Sequence, residues 1–217
     1  PSIAERRVLL ERHFDLILDL YGEARGVRVM RKYRFFYCNG LPVSIIELKR
    51  GGTESVDVAS AHAQLGTYIT ELPMCFRFAL FTVASDGVIA KYGTPFTPLN
   101  HFSPWNVDDD GAPLGFGTTA GFDDFGTGLD QLIDGVYNQD RFLQLLRNFT
   151  AFDKGADGFA KRIAKPHQYF AVNKAVWRTV EAVASNGKAG VVWHTQGSGK
   201  SMEMELYTHY VQRHALL

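Results

Sequence analysis

The sequence predicts an α/β fold, with helices and strands mixed along most of the chain and a strand–loop–helix unit at its end. Three observations predict it. The hydrophobic period turns from helical to alternating after Gly26 and becomes helical again from Asp57. Asn39-Gly40 and Asp86-Gly87 stand as tight-turn pairs between β-prone runs. Near the C-terminal end, "GVVWHTQGSGKSMEM" sets a glycine-rich loop between a short apolar run and a helical segment.

Element by element, Pro1 to Gly22 reads as a helix. Ser2 and Glu5 fit a capping box, Leu9, Leu10, Phe14, Ile17 and Leu20 give an apolar face, and Gly22 and Gly26 end it. Val27, Val29 and Arg31 alternate as a strand. Asn39-Gly40 and the run Val43 to Leu48 then predict a hairpin, with Pro42 able to open its second strand. Asp57 to Leu72 is helical until Pro73. "RFALFTVASDGVIAKYG" predicts a buried strand, a turn and another strand. Residues 93–128, rich in Gly, Pro, Thr and Asp, form a long irregular connection of the kind that often carries function. Helices are predicted at Leu129 to Ile133 and Gln139 to Phe149, with "TAFDKGADGFAKRIAK" as a connector. A further helix spans about Gln168 to Ala184, with Val172, Val176, Val180 and Val183 on one side and Asn186-Gly187 as its stop. Gly190 to Trp193 is a short strand, and Ser201 to Arg213 a helix.

The totals exclude several classes. With 217 residues, 46% hydrophobic and 21% charged, the chain has an ordinary globular composition. No apolar run approaches a membrane span and no signal-peptide pattern opens it; a soluble cytoplasmic protein is expected. Cys38 and Cys75 lack metal or disulfide spacing. A net charge of zero argues against a free-standing nucleic-acid binder, which must displace counterions, but not against a DNA enzyme delivered by partners.

Three places can carry chemistry. In the terminal loop, Thr195, Gly197, Ser198, Gly199, Lys200 and Ser201 have the context a phosphate-binding loop requires. Backbone N–H groups and the helix start would surround the phosphates, Lys200 would meet them, and Ser201 would hold Mg²⁺. The first glycine of the full GxxxxGK[ST] pattern is replaced by His194. Gln168, upstream at a helix start, has a carboxamide able to read an adenine edge. In "IIELK", Glu47 and Lys49 share one face of a strand, a pairing able to hold a divalent metal and act on a phosphodiester. Gln64 and Tyr68 lie one turn apart on the next helix, able to support that site or touch DNA. Single histidines such as His62, His101 and His167 read as surface or core groups.

With these residues assembled, the chain resembles the R (restriction and motor) subunit of type I restriction-modification enzymes, most strongly in "NGLPVSIIELK", "AKPHQYFAVNKAV" and "GVVWHTQGSGKSM". The resemblance implies a PD-(D/E)xK-type nuclease domain over residues 1–150, a connector over 151–165, and the beginning of a RecA-like superfamily 2 motor domain over 166–217. It implies Mg²⁺-dependent DNA cleavage coupled to ATP-driven translocation of double-stranded DNA. Modification and specificity subunits are the implied partners, and Mg²⁺ and ATP the cofactors. Carried over, Glu47 is the metal-binding carboxylate, Lys49 the catalytic lysine, Gln64 and Tyr68 the QxxxY element, Gln168 the adenine-reading glutamine, and Thr195 to Ser201 the Walker A loop. His194 is normal there. The chain is then expected to be the N-terminal part of a longer subunit, without ATP hydrolysis of its own.

One departure matters. The family's metal-binding Asp falls at Tyr33, and no Asp occurs between Asp19 and Asp57. Either the nuclease site is degenerate, or residues are missing near Arg34 or Phe35; the intact Glu47, Lys49, Gln64 and Tyr68 favour the second. The alternative functions are a motor or docking subunit with a non-cutting nuclease fold, and a stand-alone ATPase with an accessory α/β domain.

Overall fold

Asn39 and Gly40 both take left-handed backbone, with φ of 50° and 74°. A two-residue hairpin needs that conformation to match the twist of its strands. The turn joins β2 (Tyr33–Cys38) to β3 (Leu41–Leu48) in antiparallel register, with a bulge between Phe36 and Tyr37. Pro42 sits beside that bulge, opposite Tyr37, near the start of its strand. The computed structural model describes residues 16–19, 33–49, 57–114, 127–155 and 158–217.

From the hairpin a five-stranded mixed sheet grows, in the order β1 (Leu16–Asp19), β2, β3, β4 (Phe81–Ser85), β5 (Ala90–Gly93). Strand β3 runs parallel to β4, and β4 antiparallel to β5. Parallel neighbours need a crossover, supplied by α1 (Val58–Glu71) and the single turn α2 (Pro73–Phe76). Asp57 caps α1, its carboxylate accepting from the Ser60 N–H at 2.9 Å.

Because β-strand side chains alternate, β3 sends Ile45 and Glu47 to one face and Ser44 and Ile46 to the other. On the first face Phe35, Ile45 and Ala84 pack under Val58, Ala61 and Leu65 of α1. On the second, Phe36, Ile46, Phe81, Val83 and Tyr92 begin a core continued by α3 (Gly128–Val136) and α4 (Gln139–Asn148). That core continues without a break through Tyr169, Val172 and Val176 of α5 (Pro166–Val183) to Leu206 of α6 (Lys200–Arg213). Phe149 and Tyr169 stack with ring centres 4.6 Å apart. Buried hydroxyls cross the same core: Ser44 and Tyr137 share a 2.6 Å hydrogen bond, and the Tyr92 hydroxyl donates to the Ala164 carbonyl at 2.7 Å.

Three expectations change. Leu16–Asp19, placed in the first helix, is strand β1, paired antiparallel with β2 from Leu16↔Tyr37 to Asp19↔Arg34. Its apolar run suits either period, and the open edge of β2 offers ladder partners that an isolated helix period does not see. The remainder of that helix and the strand at Val27 to Arg31 lie outside the described residues. Residues expected as a connector form an antiparallel hairpin, β6 (Thr150–Gly155) with β7 (Gly158–Ile163). It is fastened to the sheet side by Lys161, whose Nζ donates to the Ala79 carbonyl at 2.8 Å, and by the Thr94 hydroxyl, which donates to the Lys161 carbonyl at 2.9 Å. Gly190 to Trp193 is not a strand: Val191 is 94% exposed and Trp193 81%. A strand is held by its ladder, and among the described residues no strand lies beside this one. On α5, Val172 and Val176 are buried as expected whereas Val183 is exposed. The described part of the long connection, up to residue 114, is irregular apart from a 3₁₀ turn at Leu99–His101 and two isolated bridges.

No helix among the described residues is long and apolar enough to cross a membrane.

Gly135 makes a fold test. A Cβ there would lie 2.1 Å from Cδ1 of Trp105, which is itself buried. The overpacking outweighs the roughly 1 kcal/mol that alanine gains over glycine in a helix. Gly135→Ala is expected to lower stability by about 2 kcal/mol net, read as a lower midpoint in urea unfolding.

Candidate functional site

Two groups of residues stand out, at opposite ends of the sequence. The first begins on β3. Glu47 is fully buried, and Nζ of Lys49, two residues on and therefore on the same face, lies 3.1 Å from its Oε1. The strand runs straight into this pair because β4 continues beside it: the Lys49 N–H donates to the Ser85 carbonyl at 2.8 Å. In register, Glu47 has Ala84 on one side and Tyr33 on the other. Tyr33 thus occupies the position paired with Glu47 on β2. Strand β2 runs unbroken through Arg34 and Phe35.

Gln64 and Tyr68 stand on α1, which covers the same sheet face, and both are half-buried. Tyr68 packs on the cluster containing Phe35, Ile45 and Leu65. Among the described residues no group of three His, Cys, Asp or Glu side chains is arranged to hold a metal.

The second group is the glycine-rich loop leading into α6. Gly197 and Gly199 take φ of 79° and 89°, left-handed values that open the loop and set Gly199 as the N-cap. Lys200 folds back across it, Nζ donating to the carbonyls of His194 at 3.1 Å and Thr195 at 2.9 Å. Ser201 is exposed beside it. The hydroxyl of Ser198 is buried and has no hydrogen-bond partner among the described residues.

Gln168 is where sequence and structure differ in detail. It is 3% exposed and both ends of its amide are engaged. Its Oε1 accepts from the Lys165 N–H at 2.9 Å, and its Nε2 donates to the carbonyls of Ser198 at 3.3 Å and Gly199 at 3.4 Å. In this arrangement Gln168 clasps the loop. The fit is close: a Cβ on Gly199 would lie 2.5 Å from that Nε2.

Two residues join it, His167, expected to be only a surface or core group, and His194, expected only as the replacement of a glycine. His167 Nε2 lies 2.9 Å from the Ser198 carbonyl oxygen, and His194 Nδ1 lies 2.7 Å from Glu203 Oε1. A signal was available, since a carboxylate one turn inside a helix that opens on a phosphate loop needs a compensating donor.

A cleft of about 440 Å³ runs between this loop, the end of the β6–β7 hairpin and the segment after β5, lined by Thr97, Lys161, Ala164, Gln168 and Gly199 among others. Burial pulls the Lys161 ammonium below its usual pKa.

Known proteins resemble this chain in sequence. Residues 35–101 match the family model for the type I restriction enzyme R protein N terminus, and residues 167–216 match that for the SWI2/SNF2 ATPase. Over 174 residues the chain is 36% identical to the type I restriction enzyme HindI endonuclease subunit of Haemophilus influenzae, covering 79% of this chain and 16% of that protein. It is 31% identical over 187 residues to the putative type I restriction enzyme MjaIXP endonuclease subunit of Methanocaldococcus jannaschii, covering 79% of this chain and 17% of the relative. The chain belongs to the R-subunit family of type I restriction enzymes and matches its N-terminal part. It spans about one sixth of the length of these relatives. A probable tRNA-dihydrouridine synthase of Rickettsia prowazekii is 48% identical over 44 residues, 20% of this chain, which is too short a stretch to carry an argument.

The buried pair gives a direct test. Lys49→Met removes the ammonium beside a carboxylate that is out of water and is expected to cost about 2 kcal/mol of stability. Adding Glu47→Gln should recover most of it. Urea unfolding of the parent, the single and the double variant reads both.

Proposed function

We propose that this chain carries the nuclease site of a type I restriction R subunit and the phosphate loop of its motor. The observation that carries the reading is the Glu47–Lys49 pair, 3.1 Å apart at the end of a central strand. On this reading residues 1–150 form a PD-(D/E)xK-type domain, 151–165 the junction, and 166–217 the beginning of a RecA-like motor domain. The match of residues 167–216 to an ATPase family supports the last assignment. So does an apolar groove between α5, α6 and residues 189–192, where neighbouring strands of such a sheet would pack. Partners are double-stranded DNA and the modification and specificity subunits.

The nuclease mechanism follows from the pair. Mg²⁺ is commonly bound through one or two carboxylates plus substrate phosphate oxygens, so Glu47 together with the scissile phosphate fits its needs. Bound there, the metal supplies Lewis acidity and a more acidic water. Lys49, held by Glu47 and partly exposed, is placed to neutralise charge that develops on the phosphate oxygens. Gln64 and Tyr68, from the helix above the same face, support the site or contact the DNA. At the second site Thr195 to Ser201 would hold the polyphosphate of ATP, Lys200 would supply positive charge to it in place of its present loop carbonyls, and the Ser201 hydroxyl would be available to Mg²⁺. Gln168 would read adenine only by releasing part of its clasp on the loop. The 440 Å³ cleft beside it is of a size that small-ligand sites use.

A second reading, a motor or docking subunit with a non-cutting nuclease fold, is favoured by one observation: Tyr33 stands directly across from Glu47, on a strand that runs unbroken past Arg34 and Phe35.

One experiment separates the two readings: plasmid cleavage by the full-length subunit with its partner subunits, Mg²⁺ and ATP, with ATP turnover read in parallel. On the first reading the parent cuts, Lys49→Ala hydrolyses ATP without cutting, Lys200→Ala does neither, and EDTA stops cutting. If the parent turns over ATP and never cuts while Tyr33→Asp gains cleavage, the second reading holds.

A further inference from the structure

Glu203 is 6% exposed on α6, one turn beyond Lys200. No step described above uses it. Its Oε1 lies 2.7 Å from His194 Nδ1 and 4.0 Å from His167 Nε2, and the two imidazole rings are 5.5 Å apart. An ionised carboxylate only accepts hydrogen bonds, so His194 carries its proton on Nδ1. A carbonyl oxygen also only accepts, so His167 donates from Nε2 to Ser198 at 2.9 Å. The His194 carbonyl in turn accepts from Lys200 at 3.1 Å. Glu203 therefore anchors the entry of the loop directly, through His194, and lies 4.0 Å from the His167 Nε2 whose N–H is given to Ser198 at the apex.

Backbone geometry gives this linkage a consequence. A peptide unit is planar and trans, so its C=O and N–H point in opposite directions. The Ser198 carbonyl is drawn back toward α5 by His167 and Gln168, which turns the Gly199 N–H away from α5. The Gly199 carbonyl, also held by Gln168, does the same for the Lys200 N–H. An anion bound by backbone N–H groups depends on that alignment. The position held by His194 is the one where a phosphate loop ordinarily has a flexible glycine, so its side-chain anchor replaces freedom with a fixed entry.

We propose that Glu203 is a positioning residue for polyphosphate binding, acting through its hydrogen bond to His194 to fix the entry of the glycine-rich loop and so the aim of its N–H groups. The inference rests on the reading that this loop takes a nucleoside triphosphate.

The test is steady-state, DNA-dependent ATP hydrolysis by the full-length subunit with its partners, together with equilibrium binding of a fluorescent ADP analogue. Glu203→Ala and His194→Ala should each raise KM for ATP by about tenfold, the loss of one charge-assisted hydrogen bond, with kcat changed by less than about twofold. The double variant should be no worse than either single, because the two act through one contact. Glu203→Gln, which keeps an acceptor oxygen for His194, should restore most of the affinity. Additive effects, a fall in kcat at unchanged KM, or a Gln variant no better than Ala would overturn the proposal. Lys200→Ala serves as the control: if it binds the ADP analogue as well as the parent, the nucleotide reading itself fails, and that failure is separate from the Glu203 results.

Discussion

A carboxylate removed from water at the end of a central strand is the constraint on which the described fold turns. Burying an ion costs several kcal/mol unless a partner and hydrogen bonds offset it, and Glu47 is fully buried. Its strand therefore needs ladders on both sides, a lid of apolar residues on its face, and a cation within reach. Strands β2 and β4 provide the ladders, Val58, Ala61 and Leu65 the lid, and Lys49 the cation. The parallel pairing of β3 with β4 forces the crossover helix, and that helix carries Gln64 and Tyr68 over the same face as Glu47. Residues scattered over some twenty positions in sequence share one side of the sheet because of that single connection.

The second site is built on the opposite principle. The glycine-rich loop has little apolar burial of its own, and its shape comes from hydrogen bonds reaching it from behind. His167 and Gln168, adjacent at the start of α5, both bind the Ser198 carbonyl, and Gln168 also binds that of Gly199. Pro166 at the first helical position fixes where that helix begins, and hence where the two side chains emerge. Glycine at 199 is required twice, by its left-handed backbone and by the closeness of Gln168.

One core runs from the back of the Glu47 strand to the glycine-rich loop's helix. The cluster that starts at Phe36 and at Ile46, on the Glu47 strand but on its opposite face, ends at Leu206, two turns into the helix that Lys200 opens. The β6–β7 hairpin adds polar ties, Lys161 to Ala79 and Thr94 to Lys161. On the proposed reading, a change at the nucleotide loop reaches the nuclease strand through packed side chains rather than across a flexible linker. Close-packed interiors transmit such strain well.

Much of this was legible in the sequence, because the signals were local. Asn39-Gly40 demanded a left-handed turn, the alternation of IIELK fixed that Glu47 and Lys49 share a face, and GSGKS before a helical run gave the loop. Family resemblance put these in order, and the comparisons agree on the family. What the sequence did not reveal depended on partners far along the chain. The run Leu16–Asp19 fits either period, and only the free edge of β2 made it a strand. The apparent connector became a hairpin because residues 150–155 found 158–163. The apolar run at 190–193 stayed irregular because no described strand lies beside it. Composition and spacing thus determined the turns, the helix starts and the candidate side chains, since each depends on a few neighbouring residues. Only the tertiary structure decided that Tyr33 pairs with Glu47 in the ladder, that Gln168 grips the loop, and that Glu203 bonds His194. Those are contacts between distant segments, and no local pattern encodes a distance in space.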